Sequence, residues 1–84
     1  MIDVPLMVRC YRLIEAGTAR TVPELITATG EDGKRVMGAI YDLRSQGDIY
    51  RNGRTSGHAC IWAATRRGLQ PMYIRMADRQ EAGA

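Results

Sequence analysis

The spacing of apolar residues changes partway along the chain, and this change limits the folds that the sequence can adopt. Before Gly47, apolar side chains recur every three or four residues, which predicts amphipathic helices. After Gly47 they alternate with other residues, which predicts short strands. A chain of 84 residues is sufficient for one small core. We therefore expect one α+β domain, in which the helices come first and a β-hairpin follows.

Two helices are predicted from the residues at their ends. The first begins at Asp3, which is a favourable N-cap residue, and stops at Gly17. The second spans residues 21–29, where Thr21 and Glu24 have the spacing of a capping box. In that arrangement each side chain satisfies a backbone N–H group at the start of the helix, so the starting point is well determined.

A third helix is predicted after the short link at residues 31–33, and Gly47 ends it. Its apolar spacing predicts a buried stripe made of Val36, Ala39, Ile40 and Leu43. The outward side then carries Lys34, Arg35, Met37, Gly38, Tyr41 and Asp42. Glycine inside a helix costs about 1 kcal/mol relative to alanine. We therefore expect the second helix or a ligand to approach the backbone of Gly38 closely.

The second part of the chain predicts a hairpin and a short final helix. The strands are expected at residues 49–51 and 59–63, with a polar turn at residues 52–58 that contains an Asn-Gly pair. Pro71 can begin a further helix. Its inner face is expected to contain Met72, Tyr73 and Met76, and the chain is expected to fray from Asp78 onward.

Positive charge is concentrated in the second part of the chain. The net charge is +3, yet residues 49–77 contain five arginines and no carboxylate. Such a segment suits a polyanionic partner, although frequent use of arginine alone would give the same count. Two of these arginines, Arg51 and Arg54, belong to the predicted hairpin, and Arg66 and Arg67 follow its second strand.

Several classes of protein are excluded by composition. No stretch approaches the roughly 20 apolar residues of a membrane-spanning helix, and the charged N-terminus is unlike a signal peptide. Cys10 and Cys60 are expected to be reduced thiols in a cytoplasmic protein. With His58 they make too few ligands for a zinc site. We expect no metal, no cofactor and no enzymatic activity, because no nucleophile or pair of catalytic carboxylates is recognisable.

The order of the elements and their local residues resemble the winged helix-turn-helix family over residues 4–68. Residues 21–30 (TVPELITATG) resemble its positioning helix and turn, and residues 34–43 (KRVMGAIYDL) resemble its recognition helix. Residues 47–50 (GDIY) are similar to its entry into the first wing strand, and residues 62–68 (WAATRRG) are similar to the exit from the second. The resemblance implies a domain over residues 1–70, followed by a C-terminal helix and tail over residues 71–84.

The resemblance implies a sequence-specific double-stranded DNA-binding protein that regulates transcription. The third helix would enter the major groove, and the basic wing would contact the backbone or the minor groove. Arg35 would contact guanine or phosphate, and the last helix could pair two copies. The candidate DNA-binding residues are Lys34, Arg35, Met37, Gly38 and Tyr41 on the helix, Arg51, Asn52, Arg54, Thr55 and His58 in the wing, and Thr21, whose backbone N–H could meet a phosphate.

Two departures from the family keep a second interpretation open. Glu31 and Asp32 precede the predicted recognition helix where many members carry Ser or Thr, and its outward side is only weakly basic. The same scaffold could instead bind a protein, as an adaptor or an inhibitor of the kind found in phages and plasmids.

Overall fold

The structure, a computed structural model, describes residues 3–82 and the side chains of residues 3–79. Within these residues the chain forms four helices and a two-stranded antiparallel sheet. In chain order the elements are α1 (Val4–Ala16), α2 (Val22–Thr29), α3 (Gly33–Ser45), β1 (Ile49–Arg54), β2 (Cys60–Ala64) and α4 (Pro71–Ala82). This order confirms the α+β prediction of three helices, a hairpin and a further helix.

The helices begin where their capping residues predict. The Asp3 carboxylate accepts a hydrogen bond from the Leu6 backbone N–H at 3.2 Å, at the start of α1. At the start of α2, Thr21 Oγ1 accepts from the Glu24 N–H at 3.3 Å. The Glu24 carboxylate in turn accepts from the Thr21 N–H at 3.2 Å. The predicted capping box is therefore confirmed, and it fixes the point where the chain enters α2.

The first helix is the centre of the molecule, because α2, α3, α4 and β2 all pack against it. A helix covered from several sides buries more than one stripe. The apolar spacing of α1 predicts an inner face of Leu6, Cys10, Leu13 and Ile14, of which Leu13 is only partly buried. The helix also buries residues outside this face, among them Met7, Val8 and Tyr11. The apolar spacing of α1 therefore predicted only part of its buried surface.

The hairpin is held against the helices by its base. Ile49 lies opposite Ala64 and Arg51 lies opposite Trp62 across the two strands. Ile49 and Trp62 are buried in the core. The Trp62 backbone N–H also donates to the carbonyl oxygen of Arg20 at 2.8 Å, in the segment before α2. This bond ties β2 to the helical part of the molecule and fixes the hairpin beside α3.

The first strand of the hairpin runs three residues further than the sequence predicts, to Arg54. Asn52 and Gly53 lie inside β1, at an irregularity in the pairing between Arg51 and Arg54, and Gly53 has a φ of +102°. The turn is at residues 55–58, where the His58 N–H donates to the Thr55 carbonyl oxygen at 2.9 Å. The turn thus lies inside the predicted stretch of residues 52–58, but the Asn-Gly pair is part of β1 and does not form it. The bulge absorbs the extra residues of β1, while the register keeps Ile49 and Trp62 on the core side.

The last helix uses a different face from the predicted one. Tyr73, Ile74 and Ala77 pack on the core, whereas Met72 and Met76 are exposed. Helix α4 packs against α1, and Ala77, at 2% exposure, is its most buried residue among those whose side chains are described. The helix continues through Ala82, past the point where we expected fraying, and residues 83–84 lie outside the described part.

Candidate nucleic-acid interface

The outward side of α3 carries the residues that its periodicity predicts. Lys34, Arg35, Met37, Gly38 and Tyr41 are all exposed, and the predicted stripe of four residues faces the core. Met37 is 61% exposed and Tyr41 is 69% exposed, more than any other large hydrophobic side chain of the described residues. This side of α3 is therefore accessible, and two apolar side chains dominate it.

Arg35 is exposed but already has two partners. One guanidinium nitrogen donates to the Asp3 carboxylate at 2.5 Å, and the other donates to the Glu31 carboxylate at 2.6 Å. Its hydrogen bond to Asp3 and the charge of Glu31 raise the pKa of this guanidinium further above its ordinary value. The two carboxylates balance the charge of Arg35, so it attracts a phosphate less, and a two-bond contact with guanine would compete with the existing bonds. The predicted role of Arg35 is therefore weakened by its surroundings.

The end of α3 that contains Arg35 is acidic. Asp32 caps the helix by accepting the Arg35 backbone N–H at 2.9 Å. Asp3, Arg35, Gly38 and Asp42 line one small depression beside it. With Glu31, this region holds four carboxylates against the two cations Lys34 and Arg35. A phosphate backbone would be repelled here, so this end of α3 cannot provide the main electrostatic contact.

Gly38 has open space beside it. A Cβ atom built at this position would meet no other atom within 4 Å. The expected close approach of the second helix to Gly38 is therefore wrong. Gly38 instead lines the small depression that Asp3, Arg35 and Asp42 form beside α3.

The hairpin presents the positive charge. Arg51, Asn52 and Arg54 are exposed on β1, and His58 is exposed in the turn with a φ of +67°. Thr55 is half-buried and has a structural role, because its Oγ1 accepts the Ala59 N–H at 3.2 Å and so closes the turn. Four of the five predicted wing residues are therefore available to a partner, and Thr55 holds the turn in shape.

A further arginine of this surface was not predicted from the sequence. The guanidinium carbon of Arg44 lies 6.0 Å from the centroid of the Trp62 ring, a distance typical of a weak cation–π contact. Because directly opposed residues share a face of the sheet, Arg51 lies on the same side as Trp62. Arg44, Arg51 and Arg54 thus form one basic strip from the end of α3 along the hairpin. The i, i+4, i+7 spacing of Met37, Tyr41 and Arg44 on one helix face could have indicated it.

Two predicted contributions, the arginine pair at residues 66–67 and the backbone N–H of Thr21, are not part of the basic strip. Arg66 and Arg67 follow the end of β2 that pairs with Ile49, at the opposite end of the hairpin from its turn. They line a cleft with Tyr11 and Glu15 of α1. Thr21 is buried, and its backbone N–H donates to Glu24. It therefore has no free N–H for a phosphate, and the prediction that it could bind one is wrong.

An apolar cleft lies between α2, α3 and β2. Its volume is about 300 Å³ and it opens at the side of Met37. The lining consists almost entirely of apolar groups, contributed by Val22, Pro23, Met37, Ile40, Ala59, Cys60 and Trp62. The cleft borders the basic strip, since Trp62 belongs to its wall and Arg44 lies over the Trp62 ring.

The cysteines and the acidic residues do not form a metal centre in the part of the chain that the structure describes. No group of three His, Cys, Asp or Glu side chains there is arranged to hold an ion. Burial raises the pKa of the Cys10 thiol to about 11, so this thiol stays protonated near neutral pH. Between residues 3 and 82, none of the helices has the length and apolar character needed to cross a membrane.

The chain was compared with protein-family models, with curated proteins and with solved structures, and none of the three comparisons gave a match.

Proposed function

We propose that this protein is a small winged helix-turn-helix protein that binds double-stranded DNA with sequence preference and regulates transcription. The arrangement of the elements supports this proposal. Helices α2 and α3 are joined by a short link, a hairpin follows α3, and the bond from Trp62 to Arg20 holds that hairpin beside α3. An α-helix fits the major groove of B-DNA, and a hairpin beside it can reach the flanking backbone.

The basic strip is the observation that carries the proposal. Arg44 lies over the ring of Trp62, Arg51 and Arg54 follow on the paired strand, and no carboxylate occurs in residues 49–77. Phosphate contacts of this kind position a protein on DNA and make its affinity fall with salt. Three of the carboxylates near Arg35 lie at the N-terminal end of α3, namely Asp3, Glu31 and Asp32. The fourth, Asp42, lies two helical turns further along, on the same side of the helix as Arg35 and away from Arg44. DNA would therefore approach α3 from its C-terminal half and from the hairpin.

Selection of bound duplexes from a random DNA pool tests the proposal. We expect an enriched sequence, and an affinity for it that falls as the salt concentration rises. The absence of both enrichment and any retention on duplex DNA at low salt would contradict it.

Arg54→Ala should weaken binding to all duplexes alike. A hydrogen bond to a charged group contributes about 1.5–3 kcal/mol, so we expect a loss of roughly tenfold or more. The slope of log affinity against log salt should decrease in magnitude by about 0.9. Fluorescence anisotropy on an enriched and a scrambled duplex measures both quantities. Arg66→Ala is the matched control, because it removes the same charge at the far end of the hairpin; equal losses for the two variants would exclude the hairpin as the contact.

Asp3→Asn combined with Glu31→Gln should strengthen binding. The two substitutions remove the carboxylates that hold Arg35, and Asn can still cap α1 at position 3. Exposed ion pairs are worth about 0.2–1 kcal/mol, so we expect a gain of up to roughly fivefold for each carboxylate. Asp78→Asn is the control, since Asp78 forms an exposed ion pair with Arg12 away from α3. An unchanged affinity of the double variant would mean that Arg35 does not contact DNA even when it is released.

A second candidate function, a protein-binding adaptor or inhibitor, is favoured by the apolar cleft beside Met37. An apolar side chain from a partner could fill this cleft, and acidic residues next to it could pair with Arg44 and Arg51. Retention on heparin distinguishes the two functions. A DNA-binding protein is retained at low salt and released at moderate salt, whereas lack of retention at low salt would favour a protein partner.

We also propose that two copies of the protein pair through α4. Met72 and Met76 leave an apolar strip exposed on that helix. A dimer would require a DNA target with half-sites about 10 base pairs apart, or a multiple of this distance. A DNA partner and two unbridged cysteines fit a cytoplasmic location.

A further inference from the structure

Two groups on the outward side of α3 can donate a hydrogen bond without giving up a partner, the Lys34 ammonium in the first turn and the hydroxyl at the tip of the Tyr41 ring. Arg35 is bonded to Asp3 and Glu31, and Asp42 belongs to the same acidic region. Gly38 has no side chain, and the space beside it is open. What α3 presents to a base edge at its centre is therefore the thioether of Met37 and the ring of Tyr41.

These two side chains lie in line on one face of the helix. Residues at i and i+4 are neighbours on a helix surface, and a rise of about 1.5 Å per residue separates them by about 6 Å along the axis. Both are among the most exposed apolar groups of the molecule. Base pairs follow one another at about 3.4 Å in DNA. Met37 and Tyr41 therefore match positions about two base-pair steps apart.

Only one base edge in the major groove offers an apolar group. Guanine, adenine and cytosine present donors and acceptors there, whereas thymine adds its C5-methyl group. We propose that Met37 and Tyr41 select thymines at two positions about two base-pair steps apart in the target, by packing against their methyl groups. This inference rests on the proposed DNA-binding function. It assigns sequence preference to two apolar residues rather than to Arg35.

Replacement of thymine by deoxyuridine tests this assignment, because it removes the methyl group and leaves base pairing intact. The probe is the duplex recovered by selection from a random pool, with each thymine replaced in turn. Removing one buried methyl group should lower affinity about fourfold at each of two positions. Met37→Ala should abolish the effect at one position, and Tyr41→Ala should abolish it at the other. Lys34→Ala is the control and should leave both effects intact, since Lys34 is an exposed cation on the same face.

The possible results distinguish the thymine assignment from the proposed DNA-binding function. Tight binding without any effect of uracil, or an effect that persists in both variants, would overturn the thymine assignment and leave DNA binding in place. Binding without an enriched sequence would also overturn it, because a reader of methyl groups must show a preference. If no duplex is bound at low salt, the proposed function fails, and the assignment fails with it.

Discussion

Trp62→Ala is expected to destabilise the fold by about 3–5 kcal/mol, the usual range for deleting a buried aromatic side chain. Trp62 is 7% exposed and, with Ile49, anchors the hairpin in the core. Its ring also supports the guanidinium of Arg44. A small domain is stable by about 5–15 kcal/mol, so this loss is a large fraction of the total. Urea unfolding followed by circular dichroism measures it.

Tyr50→Ala is the matched control for this variant. Tyr50 is an aromatic residue of the same hairpin, but it is 47% exposed and precedes Arg51, so it lies on the other face of the sheet. We expect a loss below about 1 kcal/mol, as for most exposed positions. Equal losses for the two variants would mean that the hairpin is not anchored through Trp62, and the basic strip would then have no fixed position beside α3.

The ends of the helices could be predicted because their causes are local. Asp3 caps α1 through a residue three positions away, and Thr21 and Glu24 satisfy each other across the same short distance. The change of period after Gly47 likewise depends only on neighbouring residues. Features that are determined within one turn of helix or one strand are therefore visible in the sequence.

The length of β1 was mispredicted because register is a property of the whole sheet. Asn-Gly favours a turn locally, but a turn there would pair different residues and move Trp62 away from the core side. In the structure, burial of Ile49 and Trp62 fixes the register, and Gly53 forms a bulge. The cost of exposing a tryptophan is larger than the local preference of two turn residues.

The charges around α3 also depend on distant residues. Asp3 and Arg35 are 32 positions apart, yet they form an ion pair. Nothing in the spacing of α3 predicts that the N-cap of α1 would neutralise its arginine. For the same reason, Arg44 joins the hairpin surface only once Trp62 is in place. The sequence predicted an interface on the outward side of α3 and on the hairpin; the structure weakens the part near Arg35 and adds Arg44 to the part beside the hairpin.

Asp48→Asn is expected to stabilise the protein near neutral pH. Asp48 is 0% exposed, and neither oxygen of its carboxyl has a hydrogen-bond partner within the described residues. Its backbone holds it there, since its N–H donates to Leu43 at 2.9 Å and its carbonyl oxygen accepts from Thr65 at 3.0 Å. Burial raises the pKa of this carboxyl above its ordinary value, although the charge of Arg67 acts in the opposite direction. An unsatisfied buried group costs about 1–3 kcal/mol, and a charged one costs more. The amide of Asn is also buried without partners, so the gain is only the additional cost of the charge, for which we expect about 1 kcal/mol.

The pH dependence of this gain identifies its cause. A carboxyl whose pKa is raised by folding disfavours the folded state once it is ionised. The free energy of unfolding of the wild-type protein should therefore fall as pH rises from the ordinary aspartate pKa of about 3.9 through the raised pKa of Asp48. At about pH 3 the carboxyl is protonated in the folded and unfolded states, and the variant should have little advantage there. Urea unfolding of the wild-type protein and of Asp48→Asn, from about pH 3 to neutral pH, measures the difference in their free energies of unfolding. Asp78→Asn, at an exposed carboxylate, is the control and should stay within about 0.5 kcal/mol of wild type at every pH. A gain of equal size at both ends of the range would show that the side chain at position 48 acts through packing and not through its charge.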